Sequence, residues 1–432
     1  MGEKNIKTMH KTQHSLKLFD HLHHDIDALT QLSPEHAAQT IVVCVQHILE
    51  SNVLFFDALT HKLDIPKDNI FILGKHYSTS PHANKTLVQK GFRITPNHTL
   101  NRQLGHYHHC FQRDVNTLWQ EVLNYIQPHK HRNILVIDDG GRCFEHMPKE
   151  LFKKFKVLGI EQTTIGIRKC QQLKLPCPII SVASCHTKRV YESEFIIEDV
   201  LFHARQSIRS KKQKIGIIGL GNLGSTLYRN LCTDGYSVHA FDVDPEKMAM
   251  VRPTYRMYSL SALLQHVDMI FSCTGTDIFQ HQHDVAFHRD TTLISCTSED
   301  VEFNSLLCNK SSSITTRFPD TDALSDLQFE DAAGHCITIK RGGFPINFNG
   351  QSESIPLEKI QLTRALMLSA AIQANEYYSQ KMFTPGIYDL DYKRQLALIQ
   401  CYKSLQADST NEKPHKTKPA ALIPHPLAQL TA

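Results

Sequence analysis

No stretch of this 432-residue sequence approaches the roughly 18 to 20 consecutive apolar residues that a membrane-spanning helix needs. The opening MGEKNIK has no apolar core of the kind a signal peptide carries, and Ile6 stands where a myristoylation signal wants Ser or Thr. Charge of one sign is also missing. With 47 Lys and Arg against 43 Asp and Glu, the net charge is +4, too weak a field to argue for nucleic acid. The 12 cysteines never form a C-x-x-C pair, which speaks against a zinc ribbon or a disulfide framework and for a reducing cytoplasm. The expectation is a cytoplasmic protein with no membrane and no nucleic-acid partner.

What is present in excess is histidine, 27 in all, with HLHH at 21–24 and HYHH at 106–109. Neither cluster offers a converging set of ligands, so both read as solvated polar segments and no metal is expected. The length itself asks for two or three domains.

Along the first part of the chain, short apolar runs alternate with helical patterns. IVVCV (41–45), NIFIL (69–73), ILVID (134–138), KVLGI (156–160) and PIIS (178–181) read as strands, with SNVLFFDALTHKL (51–63) and DVNTLWQEVLNYI (114–126) as helices. Continuous apolar strands separated by helices predict an α/β fold with a mostly parallel, doubly wound sheet. A helical pattern runs from Tyr191 to Lys212, its basic SKKQK cluster reading as a helix end that complements the dipole. A second α/β unit begins at IGIIG, with strands at VHAFD (238–242), MIFSC (269–273), TLISC (292–296) and HCITIK (335–340). PLEKIQLTRALMLSAAIQANEYYSQ (356–380) reads as one long helix with small residues on a face, and the Pro- and Lys-rich tail from Ala407 as disordered. The expected domains are 1–192 (substrate type), 193–350 (Rossmann), a return helix over 351–383, and a short helical C-terminal extension with its tail over 384–432.

IGIIGLGNLG (215–224) carries the chemistry. Gly219, Gly221 and Gly224 follow a strand and open a helix at Asn222 and Leu223, so the turn is tight, a pyrophosphate can approach, and the helix N-terminus faces it. Asp242 ends the next strand, 18 residues beyond Gly224, about where a carboxylate takes the ribose hydroxyls and repels a 2′-phosphate. The cofactor expected is NAD. FSCTG (271–275) ends a further strand of the same sheet, where ligands gather beyond the carboxyl edge.

Several phrases, in order, resemble the S-adenosylhomocysteine hydrolase (adenosylhomocysteinase) family over residues 40 to 400: QHILES (46–51), HYSTS (76–80), VIDDGG (136–141), IEQTTIG (160–166), TKRVYES (187–193), GLGNLG, FDVDP (241–245), FSCTG and PINFNG (345–350). The resemblance implies a substrate domain with an inserted Rossmann domain, a homo-oligomer, and an adenosine-type nucleoside or S-adenosylhomocysteine as ligand. It also implies a resident NAD that transiently oxidises the ribose 3′-hydroxyl, making the C4′ proton acidic enough for thioether elimination. On the cofactor side it implies that Thr163, Thr164, Thr274 and Asn347 reach the NAD. On the substrate side it implies catalytic roles for Lys188, Asp139 and Glu192, and substrate contacts from His47, Ser78, Thr79 and Gln162.

The substrate side departs from the family pattern. Gln162 replaces a glutamate and cannot act as a base, Ala183 replaces an asparagine, Glu192 is one methylene longer than the family's Asp, and Ser193 replaces another asparagine. Ser298 stands where the family has a histidine, SESIP lacks the histidine of GHPS, and the closing KPDHYRY has no counterpart. Each lost acid–base group typically removes about two to four powers of ten in rate, so conventional hydrolysis is expected to be weak or lost. Two alternatives stand beside this reading. One is a working hydrolase with compensating groups, His186 being the candidate. The other is a D-2-hydroxyacid dehydrogenase-like oxidoreductase, whose arginine loop KRGGFPIN imitates through Arg341.

Overall fold

The computed structural model describes residues 16–21, 34–98, 100, 107–127, 130–280, 286–309, 323–331, 333–379 and 384–411. The strands of the first sheet are β1 (Thr40–Ile48), β2 (Ile70–Thr79), β3 (Arg93–Thr95), β4 (Asn133–Asp138), β5 (Lys156–Glu161) and β6 (Pro178–Ser181). Those of the second are β7 (Ile215–Ile218), β8 (Val238–Phe241), β9 (Met269–Ser272), β10 (Thr291–Ser295), β11 (Leu327–Glu330) and β12 (Cys336–Ile339). β13 (Gly386–Asp389) returns to the first sheet. The orders are β13-β6-β5-β4-β1-β2-β3 and β11-β12-β10-β9-β7-β8. The first sheet is parallel throughout, and in the second only β11 runs antiparallel.

Each expected strand is there, because residues such as Ile41 to Val45 and Ile134 to Ile137 are buried on both faces, as helices on each side of a parallel sheet require. The helix Tyr107–Tyr125 covers one face with Phe111, Val115, Leu118, Trp119 and Val122. The helix Leu357–Ser379 lies in the core on the other face, packed against the helix Glu50–Lys62 and β5. Its Ala365, Leu366, Met367, Leu368, Ala370, Ala371 and Ala374 are all without exposure, so the small residues permit close approach of neighbouring backbone.

Two elements end differently from their sequence pattern. The helix expected over 191–212 runs His186–Ala204, burying Ser193, Ile197, Val200, Leu201 and Ala204 on one face. It stops there because a 3-10 turn at Arg205–Ser207 redirects the chain toward β7, and the basic cluster is a turn. Lys211 there donates to the Asp234 carbonyl at 2.6 Å. The C-terminal extension supplies a strand, β13, as well as the helix Tyr392–Asn411, which passes the point where a disordered tail was expected to begin. The rest of that tail, and His23, His24 and His106 of the histidine clusters, lie outside the described residues; His108 and His109 are exposed on their helix.

Topology now locates the site. In the first sheet the strand order reverses between β1 and β4, and in the second between β7 and β9. Ligands bind beyond the carboxyl ends of strands at such switch points. His47 near the end of β1, Asp139 just after β4, Gly219 just after β7 and Thr274 just after β9 all line one cleft of about 1180 Å³ between the two sheets' domains.

Candidate active site

The cofactor wall is built by the turn from β7 into the helix Asn222–Thr233. Gly219 has φ +85°, a conformation side chains rarely adopt. A Cβ on Gly224 would lie 1.8 Å from the Gly219 carbonyl oxygen, so only glycine allows the helix to start there. A Cβ on Gly221 would meet nothing within 4 Å: its bareness serves a ligand rather than the fold. Gly221, Asn222 and Leu223 line the cleft, with the helix N-terminus behind them, an arrangement suited to a pyrophosphate. Asp242 lines the cleft too. Its Oδ2 accepts from Leu220 N at 2.6 Å and its Oδ1 from Asp244 N at 2.8 Å, which pins the carboxylate while leaving lone pairs for ribose hydroxyls. These groups fit a dinucleotide.

The loop after β9 is held by a residue that sequence reasoning missed. Buried Glu302 accepts from Thr274 N at 3.0 Å, Thr274 Oγ1 at 2.6 Å, Gly275 N at 2.8 Å and Thr297 Oγ1 at 2.6 Å, and also from Ser272 Oγ. Thr274 thus reaches the cleft with its hydroxyl already committed. Thr163 and Thr164 arrive from the other domain and line the same cleft. Thr163 is the N-cap of the helix Thr164–Leu173, and its hydroxyl donates to Glu161 at 2.7 Å. Buried Asn347 lines the cleft beside Asp199, whose carboxyl burial pushes up to about 7 against the opposing pull of the Asn347 amide.

The substrate wall centres on Asp139. Lys75 Nζ lies 2.6 Å from its Oδ1 and His47 Nε2 lies 3.2 Å from its Oδ2, while the Gln162 amide also donates to Oδ2. Burial alone would raise the Asp139 carboxyl, but the Lys75 charge and then His47 hold it well below the carboxylate range. Burial lowers the His47 imidazole despite the opposing Asp139 charge, and the ring stacks on Phe348 at 4.5 Å. Lys188, in the first turn of the helix His186–Ala204, lies 2.5 Å from Glu192 one turn on and donates to the Gln162 carbonyl at 2.9 Å. Glu192 accepts in addition from Thr363 Oγ1 at 3.0 Å. His47, Asp139, Gln162, Lys188 and Glu192 all line the cleft.

Thr79 does not. β2 bulges between its pairings with Gln46 and Ile48, and Thr79 Oγ1 donates back to the Lys75 carbonyl at 2.8 Å, closing the bulge. The bulge turns Ser78 toward His47, their Oγ and Nδ1 being 2.5 Å apart. Gly224 likewise serves packing and does not line the cleft. His186 is exposed and, like Arg341, is absent from the cleft wall. Ser298 lines the cleft, and the residue after it does structural work. Glu299, at φ +67°, forms a buried pair with Arg142, with Nε–Oε1 3.1 Å and Nη2–Oε2 2.6 Å, tying the two domains together. Lys75 and Glu299 were both missed. A lysine inside the apolar run of β2 was the available signal for the first, and nothing local marked the second.

Residues 214–313 match the family model of the NAD binding domain of 6-phosphogluconate dehydrogenase. Over 368 residues the chain is 24% identical to an uncharacterized protein of Mycobacterium tuberculosis, covering 83% of this chain and 68% of that one. Among solved structures it is similar to the NAD+-bound 3-phosphoglycerate dehydrogenase of Entamoeba histolytica (11% identity, 80% of this chain and 99% of that one, TM-score 0.37). It is also similar to dipicolinate synthase A chain from Bacillus subtilis (12%, 78% and 97%, TM-score 0.37). A third is the NADPH-dependent glyoxylate/hydroxypyruvate reductase of Sinorhizobium meliloti (10%, 80% and 96%, TM-score 0.38). Likeness at these scores carries no argument about substrate. The chain holds a Rossmann domain, and its cofactor is NAD. Among the described residues no helix is long and apolar enough to cross a membrane.

Proposed function

We propose that the chain keeps NAD beside a nucleoside-type substrate in the interdomain cleft, in the manner of an adenosylhomocysteinase, with conventional hydrolysis of S-adenosylhomocysteine weak. The observation that carries this reading is the convergence of His47, Asp139, Gln162, Lys188 and Glu192 on the cleft that the glycine loop also lines. NAD supplies a reversible hydride acceptor when bound. Lys188 and Glu192, paired across one helical turn, hold a proton at Nζ within reach of a substrate hydroxyl. His47 offers a second proton carrier on the Asp139 side. Phe348 stacked on His47 narrows the cleft there and helps exclude water.

The weakness of the conventional reaction follows from two substitutions. Gln162 is locked by its amide onto Asp139 and cannot take a proton, and Glu299 is spent on Arg142 while Ser298 supplies no imidazole. Each absent acid–base group costs about 10²- to 10⁴-fold.

The test begins with the ligand released on denaturation, identified by absorbance and mass, followed by an assay of S-adenosylhomocysteine cleavage with and without added NAD. Retained NAD with little homocysteine released supports the proposal. Rapid turnover abolished by Lys188→Ala would replace it with a working hydrolase, and reduction of exogenous NAD by a 2-hydroxy acid would replace it with a dehydrogenase.

A further inference from the structure

The described buried cations of the substrate domain, Lys75 and Arg142, each have a carboxylate in contact. Arg364 is the exception. It sits on the helix Leu357–Ser379, is only 4% exposed, and lines the cleft. Its Nε donates to Ser51 Oγ at 3.1 Å, its Nη2 to Asn52 Oδ1 at 2.9 Å, and its Nη1 approaches Met367 Sδ at 3.7 Å. All three partners are neutral, and among the described residues no carboxylate forms an ion pair with it. A guanidinium has five N–H groups, so two remain after these contacts.

Three carboxylates are near enough for their charge to reach it, Glu353 first and then Glu192 and Asp139, but each makes its direct contacts elsewhere, Asp139 with Lys75 and His47. Glu192 is paired with Lys188 at 2.5 Å. Glu353 is turned onto the N-terminus of the helix Glu50–Lys62, its Oε2 accepting from Ser51 N at 2.8 Å. Asn52 adds a second feature of the same sign: its side-chain Nδ2 is buried with no acceptor. A buried charge without a direct ion pair is costly, and so is a buried donor without an acceptor. Here Arg364 itself lines a cavity large enough for a ligand, and the unpaired Asn52 donor lies beside its guanidinium, off the cleft wall.

We propose that Arg364 is an anion subsite of the cleft, so that the ligand occupying it carries a small oxyanion, a carboxylate or a phosphate, seated on the Arg364 guanidinium. The planar fork of arginine suits such a group because two parallel N–H donors can meet two oxygens. The subsite rests on the reading that this cleft holds the substrate. It separates that substrate from a plain nucleoside, which has no such group.

The experiment uses the full chain with its NAD, at constant ionic strength with chloride as the control salt. Inorganic phosphate and succinate are titrated separately by calorimetry and by melting temperature. The expected result is saturable binding of one of them, which identifies the chemistry, weakened at least tenfold in Arg364→Gln. Arg364→Lys, which keeps the charge and loses the fork, should bind more weakly than the native chain and more tightly than Arg364→Gln. Glu353→Gln, which removes a nearby negative charge and leaves Arg364 in place, should bind the anion more tightly and carries the test if Arg364→Gln does not fold. The proposal is overturned if neither anion acts beyond chloride, if Arg364→Gln binds as the native chain does, or if Glu353→Gln weakens the anion. These measurements read binding and not turnover, so a chain that cleaves S-adenosylhomocysteine yet ignores both anions loses this proposal alone.

Discussion

Gly221 and Gly224 sit three residues apart in one motif and are glycine for different reasons. At Gly224 a methyl group would collide with the Gly219 carbonyl oxygen at 1.8 Å, whereas at Gly221 it would enter open space. Gly224→Ala is therefore expected to lower both the melting temperature and the NAD retained through purification. Gly221→Ala should leave the melting temperature of the NAD-stripped chain unchanged and weaken NAD by at least ~10-fold, about 1.4 kcal/mol. Equal melting losses in the two variants would remove the distinction. Lys188 was legible only through its resemblance, since a lysine in TKRVYES read alone is an ordinary solvated residue. The structure gives it a carboxylate at 2.5 Å and a place on the cleft.

At the scale of elements, the helix Leu357–Ser379 bears on both sheet and site. Its alanines are buried so that the helix can lie close to the helix Glu50–Lys62 and to β5, and the same helix carries Arg364 to the cleft and Thr363 to Glu192. Ala371→Leu puts three extra carbons into a wall with no room to spare, with an expected cost of ~1–3 kcal/mol. Urea unfolding with an unchanged slope would measure it, and a cost near zero would mean that the helix is free to shift. The sequence over 356–380 announced one long helix with small residues on a face. Its partners were not legible, because packing against residues some 300 positions earlier leaves no local pattern.

The described residues form two sheets, parallel except for β11, whose switch points share one cleft, and the Arg142–Glu299 pair spans the domains beside it. Removing one member of a buried pair strands the other, at about 3–5 kcal/mol. Arg142→Leu is expected to lose that much stability at pH 7. The sign with pH can be worked out. In the native chain burial alone would raise the Glu299 carboxyl, but Arg142 holds it below its ordinary 4.5, so the pair's contribution is present above that value and fades as pH falls. In Arg142→Leu the stranded carboxyl rises above 4.5, and the folded chain takes up a proton more readily than the unfolded one. The deficit relative to the native chain should therefore be smaller at pH 5 than at pH 7. A deficit that is constant with pH would mean that Glu299 is not buried alone in the variant.

The amino-acid sequence by itself determined the α/β alternation, the Rossmann turn and its NAD, because these rest on local devices: apolar runs, glycines at set spacing, an acid at a strand end. It also marked most of the cleft's residues, through phrases whose order resembles one family. Tertiary structure alone decided which of them meet. The β2 bulge withdrew Thr79 and turned Ser78 onto His47, Lys75 became the buried partner of Asp139, and Arg364 came to the cleft without an ion pair of its own. Those outcomes depend on contacts between distant segments, and the free energy of a buried charge is set by what surrounds it rather than by its neighbours in the chain.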